Sequence, residues 1–369
     1  MIPSTEQSYE KKTLKEALVV FLLAISAAIL IKIPTLFDFH LDHHESFYIR
    51  NLSFFILPVL TAYFAWKRKL TTQILLVIGS VFIVALIVAN IFPFEQDSDT
   101  EVLLAIHLPI ALWLIVGIVF TGGQWNKVSE RMNFIRFSGE LFIYYVLIAL
   151  SGGVLTGFMA VLFGTINIDI EPFFESWLLP CGATGAVIIA AWLVEFRNDL
   201  NGNFAPVLAR LFSPLFAIML VTFLGVMLFT GNELIIDRDI LIAFDLLLIV
   251  SLGLLLYSIS SRDDKASPGV FDVIQIVLVI SSLLADAVAL WGIIERISEF
   301  GFTPNRVAAL GLNLILIVNL TWAAVLNVRF LRGETEFSTL VKWQTDYIPV
   351  YGIWAAIIVI IFPLLFGFK

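Results

Sequence analysis

A single acid set deep in an apolar run offers the first chemistry in this chain. Within Phe271 to Arg306, FDVIQIVLVISSLLADAVALWGIIERISEFGFTPNR, a run long enough to cross a bilayer carries Asp286 well inside it. At 100° per residue, Asp272, Gln275, Ser282 and Asp286 fall within roughly 80° of arc, so one face of that helix is polar. A lipid-facing carboxylate costs several kcal/mol, which turns this face toward protein or a wet cavity. Asp286, Asp245, Asn313 and His107 each lie four or five residues to the outer side of the centre of their own apolar run, about 6–8 Å at 1.5 Å per residue. Two acids, an imidazole and an amide in one layer could bind a proton, a cation or a small solute. The alternative is that each hydrogen-bonds a neighbouring helix and holds the bundle together.

Two other stretches carry candidate chemistry. Pro180-Cys181-Gly182-Ala183-Thr184-Gly185-Ala186 interrupts an apolar run with one proline and two glycines. A break at Pro180, Cys181 and Gly182 would expose backbone dipoles able to hold an ion or an anionic group. Close packing against a neighbouring helix is the other use of such small residues, and Gly153, Gly157, Ala160 and Gly164 form a similar 4-3-4 series. The segment Asp38-Phe39-His40-Leu41-Asp42-His43-His44-Glu45 holds three of the four histidines. Of these residues, His40, Asp42, His43, His44 and Glu45 could ligate Zn²⁺ or sense pH. The HExxH spacing of metalloproteases is absent, and a solvated loop accounts for the same residues.

The elements that must position these groups are membrane helices. Of 369 residues, 60% are hydrophobic and only 14% charged, with a mean hydropathy of +0.97, outside the range of soluble domains. Thirty-three Phe and nine Trp suit lipid-facing and interfacial positions. Apolar runs predict about eleven helices, at 14–33, 51–66, 71–92, 101–121, 138–164, 174–196, 210–230, 240–260, 271–293, 306–327 and 348–367. The fold class is therefore an all-α polytopic bundle, one integral membrane domain over 1–369, because lipid cannot satisfy open strand edges. The first run lacks a small-x-small cleavage pattern and reads as a retained span.

Sorting the 22 Lys and Arg by side puts sixteen inside and six outside when the N-terminus is cytoplasmic, which predicts N-in and C-out. The connection Glu295 to Arg306 then lies outside, with Gly301 allowing a tight turn and Thr303-Pro304 starting the next helix. Polar connections are too short for a self-standing domain, and there is no Gly-Lys dipeptide of the kind a P-loop requires. An attached soluble ATPase is thereby excluded. A lone Cys181 allows neither an internal disulfide nor a CxxC metal site. Nothing implies a cofactor or nucleic acid; the expected partners are membrane lipids and a proton, cation or small solute.

RISEFGFTPNR followed by a helix, with DTEVLLAIHLPIALWLIVGIVFTG, FIRFSGELFIYY and the order SGGVLTG, LPCGATGA, FAPVLARLFSPLF, resembles an uncharacterised family of bacterial polytopic membrane proteins, domain of unknown function 4153. The resemblance covers most of the chain from about the second helix onward. It implies a bacterial inner-membrane location and supplies no catalytic residues. The sequence leads first to a secondary transporter or permease-like protein. A membrane enzyme acting on a lipid-linked substrate at the outer face, through Asp42, His43, His44 or Glu45, is the second reading, and a non-catalytic scaffold or envelope-assembly partner the third.

Overall fold

A computed structural model describes residues 3–41, 43–164, 171–199, 238–262 and 266–369, and 213–225 apart from 215, 219 and 223. Regular structure among them is helical, without strands. The long helices are α1 (Pro3–Lys32), α2 (Glu45–Arg68), α3 (Thr72–Ile91), α4 (Asp99–Phe120), α5 (Val128–Gly164), α6 (Leu179–Asp199), α7 (Arg238–Ser261), α8 (Val270–Phe300), α9 (Pro304–Leu331) and α10 (Phe337–Leu365). A short 3₁₀ turn, Ile33–Phe37, follows α1. Ten helices among the described residues are long and apolar enough to cross a bilayer, the organisation of a multi-pass membrane protein. Most of the run expected at 210–230 lies outside the described residues.

Several helices are longer than their apolar runs. α8 continues through Glu295 and Arg296 to Phe300, and α10 begins at Phe337 where 348 was expected. Counting apolar residues finds the part that lipid can cover, but helical hydrogen bonding propagates into polar ends until a breaker stops it. At the end of α8 that breaker is Gly301, with φ +77°, a backbone angle that L side chains rarely adopt. Thr303 then accepts a 3.4 Å hydrogen bond from the Arg306 amide, and Pro304 occupies the first turn of α9. Arg306 bonds the Gly301 carbonyl at 2.8 Å and lies over the Phe300 ring.

The described helices cluster in two compact units. One contains α1, α2, α3, α6, the second half of α4 and α5 from Glu140. Its α1 buries Val20, Ala24, Ala27 and Ile31, a 4-3-4 stripe that makes one helix face. Small residues there admit α6 closely: Cys181 Sγ lies 3.5 Å from the Ala28 carbonyl, and Gly185 faces Ala24. A reciprocal amide pair, Asn51 with Asn90 at 2.8 and 2.9 Å, joins α2 to α3.

The other unit holds α7 to α10, the first half of α4 and the start of α5. Met132, Leu255, Val279, Leu320, Phe330 and Leu340 share a core, and Leu103, Ala308, Ile358 and Phe362 form a second cluster. Two glycines are required by close approach. A Cβ on Gly311 would sit 2.1 Å from the Trp354 ring, and one on Gly139 would sit 2.4 Å from the Tyr257 ring. By contrast, a Cβ on Gly153 or Gly157 would meet nothing among the described residues. Arginines hold the ends of these helices. Arg262 makes a two-pronged pair with Asp272 at 2.8 and 3.3 Å and lies over Phe330 and Phe337. Arg131 binds Asp346 and the Trp125 carbonyl, and Arg136 binds the Ser260 carbonyl.

Candidate functional site

The polar face read from the sequence of α8 is its buried face. Asp272, Gln275, Val279, Ser282, Asp286, Ala289 and Ile293 are all buried at alternating spacings of 3 and 4, which keeps them in one stripe against α7 and α9. Gln275 donates through Nε2 to Ser258 of α7. Ser282 returns its hydroxyl to the Leu278 carbonyl at 2.8 Å. These two act as local structural polar groups.

Asp286 differs. It is 0% exposed, and neither carboxylate oxygen has a hydrogen-bond partner among the described residues. Leu224, Phe244, Ala285 and Ala289 form a buried apolar cluster with Leu247 and Val288 packed against it, so the sequence neighbours of Asp245 and Asp286 hold α7 against α8. Phe244 and Ala285, each adjacent in sequence to one of the acids, share this cluster, which sets Asp245 and Asp286 at the same level of the α7–α8 contact. From α9, Asn313 donates through Nδ2 to Asp245 Oδ1 at 2.8 Å and to the Ala309 carbonyl at 2.8 Å. Asn313 is fully buried, and its Oδ1 also lacks a partner among the described residues. Asp245 itself is half-buried. Three helices thus bring together two acids, one amide and no cation among the contacts described.

His107 shares the expected depth but its ring is engaged elsewhere. Its Nδ1 lies 2.8 Å from the Leu103 carbonyl one turn back on α4, an i to i−4 contact that a side chain makes without any second helix. A depth estimate fixes height along the bundle but not which way a side chain turns. The layer therefore reduces to Asp245, Asp286 and Asn313.

The expected break at Pro180, Cys181 and Gly182 is absent: α6 runs unbroken through all three. The irregularity lies one turn earlier, in a π turn at Phe174–Leu178. Pro180 has no N–H to give to the carbonyl four residues back, that of Ser176. Lys32, at the end of α1, donates to that carbonyl at 2.6 Å, with its ammonium over the Trp177 ring. A donor from another helix thus replaces the missing one, and the backbone dipoles are not left open for an ion.

The histidine-rich loop is a compact turn. The His43 and His44 amides both bond the His40 carbonyl, and Tyr48 closes the loop with a 2.8 Å hydrogen bond to the Phe39 carbonyl. The His44 ring packs on Phe39 with centroids 4.7 Å apart, while His40, His43 and Glu45 are exposed. Asp42 lies outside the described residues. No three His, Cys, Asp or Glu side chains among the described residues stand together as metal ligands.

Two polar networks went unread in the sequence. On α10, Gln344, Tyr347 and Tyr351 follow a 3-4 spacing that could have revealed one of them. Asn319 donates to Tyr351 at 2.8 Å and to Gln344 at 3.1 Å, and Trp343 donates to Asn319 Oδ1 at 2.8 Å. The other ties α1, α2 and α6. Lys67 bridges Glu16 at 2.8 Å and Glu195 at 3.3 Å, Arg68 grips both Glu195 oxygens at 3.1 and 3.2 Å, and Tyr63 donates to Glu16 at 3.0 Å. No sequence spacing links partners that far apart in the chain.

Comparison of the chain with family models, with curated proteins and with solved structures returns no match.

Proposed function

We propose that this protein is a bacterial inner-membrane protein of the secondary-transporter kind, in which α7, α8 and α9 hold an acidic site for a coupling ion or small solute. The observation that carries this reading is Asp286, fully buried beside a second acid with no donor for either of its oxygens among the described residues. Magnitudes argue against a purely structural role. A hydrogen bond between membrane helices is worth about 0.6 kcal/mol on average, whereas a charged acid at the centre of a span costs about 3 kcal/mol. An acid that makes no such bond adds nothing to helix association, and an apolar side chain in its place would avoid that cost.

The bias of sixteen inner against six outer Lys and Arg supports a cytoplasmic N-terminus. The arginine-held ends of α7, α8, α9 and α10 would then face the cytoplasm. The acid pair would lie toward the outer side, where an ion could arrive from outside. The resemblance to domain of unknown function 4153 is in keeping with a bacterial inner membrane.

Charge movement tests this without a known solute. Proteoliposomes on a solid-supported membrane are given jumps in proton, Na⁺ or Ca²⁺ concentration. Transient currents are expected from the native protein and not from Asp286→Asn. Equal currents from both would overturn the proposal.

A further inference from the structure

The amide of Asn313 orients itself. Its Nδ2 lies 2.8 Å from Asp245 Oδ1 and 2.8 Å from the Ala309 carbonyl. Both are acceptors, so this end of the amide must be the NH₂ and the other end the oxygen. Beside the acid pair there are then three buried acceptor oxygens, Asn313 Oδ1 and both oxygens of Asp286, that receive no hydrogen bond among the described residues. Buried acceptors of this kind are ordinarily satisfied.

A proton on Asp286 adds a single donor and leaves the other acceptors bare. A metal cation can satisfy several oxygens at once. The set contains carboxylate and amide oxygens only, with no imidazole and no thiol. Such ligands suit hard cations, and Asp and Asn side-chain oxygens are their usual protein ligands. We infer that Asp286, Asp245 and Asn313 ligate a hard, oxygen-coordinated metal cation between α7, α8 and α9. This rests on the reading of the cluster as the functional site. The ligand set holds only two carboxylates, so it differs from the groups of three His, Cys, Asp or Glu that are absent among the described residues. Charge separates the candidate ions. A divalent ion such as Ca²⁺ neutralises both carboxylates, while Na⁺ leaves one negative charge beside the apolar cluster of Phe244, Ala285 and Ala289.

Thermal unfolding of the full chain in detergent tests this, with NaCl or CaCl₂ compared against choline chloride at equal ionic strength. A ligand at about a hundred times its dissociation constant should raise the midpoint by about 3–4 °C for a chain of this size. The rise is expected with Na⁺ or with Ca²⁺, and the ion that acts reports the charge the site requires. It should vanish in Asp286→Asn and in Asn313→Leu, each first shown by gel filtration to be folded. Loss in Asn313→Leu is the discriminating result, since a site that only takes a proton needs no amide oxygen. No rise above choline in the native protein would overturn the inference even if neither variant folds, and so would a rise that survives in both variants. Binding is read here without flux. Cation stabilisation without charge displacement would retire the transporter reading and keep the site, while currents indifferent to metal cations would do the reverse.

Discussion

Two clusters of buried acids in this protein are built on opposite terms. In the unit containing α1, α2 and α6, Glu16 and Glu195 meet Lys67, Arg68 and the Tyr63 hydroxyl, so each carboxylate has charged and hydrogen-bonding partners. In the other unit, Asp245 takes one amide hydrogen bond from Asn313, Asp286 takes none, and no cation pairs with either among the described contacts. The first arrangement ties three helices together with its charges balanced, as structural ion pairs must be when water is scarce. The second leaves negative charge and acceptor oxygens unspent where the chain has apolar alternatives. Paired acids hold a fold together; unpaired ones await a ligand.

Substitutions should separate the two clusters by sign. The largest effect is expected from Glu195→Leu, which leaves Lys67 and Arg68 without their shared partner. Removing one side of a buried pair costs about 3–5 kcal/mol, and the partial exposure of Arg68, 33% for its side chain, puts this one near the lower end. Thermal unfolding in detergent measures it, and an unchanged midpoint would erase the contrast. Asp286→Leu, measured in choline chloride so that no metal cation stabilises the native protein, should go the other way. Replacing an unpartnered carboxyl with a buried apolar side chain gains about 2 kcal/mol, seen as a higher midpoint, while ion-driven currents disappear. A fall of similar size would mean that Asp286 has a structural partner after all.

The smallest effect tests how the first unit satisfies its own backbone. Lys32→Met removes the donor that reaches the Ser176 carbonyl and keeps the apolar stem. The expected loss is about 1 kcal/mol, with local opening of the Phe174–Leu178 turn visible as faster amide exchange in the first turns of α6. Exchange unchanged from the native chain would show that the π turn needs no outside donor.

Much of this was legible in the sequence, and the failures have physical causes. The buried stripe of α8 followed from residue spacing alone, because a helix fixes which side chains share a face. Asp245, Asp286 and Asn313 met because depth in a bilayer can be counted at 1.5 Å per residue. His107 failed the same estimate because rotation about the helix axis is set by packing and a side chain can turn back to its own backbone. The break expected at Pro180 did not form because Lys32 supplies the missing hydrogen bond from about 140 residues away, which no local motif records. Helix ends at Val128, Phe337 and Phe300 ran past their apolar runs because polar residues continue a helix as readily as apolar ones. The Asn319, Gln344 and Tyr351 network was missed because amides and tyrosines in apolar runs stand out less than acids do.

The most direct test of the central claim measures one variant in two ways. Asp286→Asn keeps the size and polarity of the side chain while removing its charge. If the acid is there to bind and not to hold the fold, its unfolding midpoint in choline chloride, where no metal cation stabilises the native protein, should match or exceed the native value while charge displacement on a supported membrane is lost. A lower midpoint with currents left intact would contradict that account and return Asp286 to the fold.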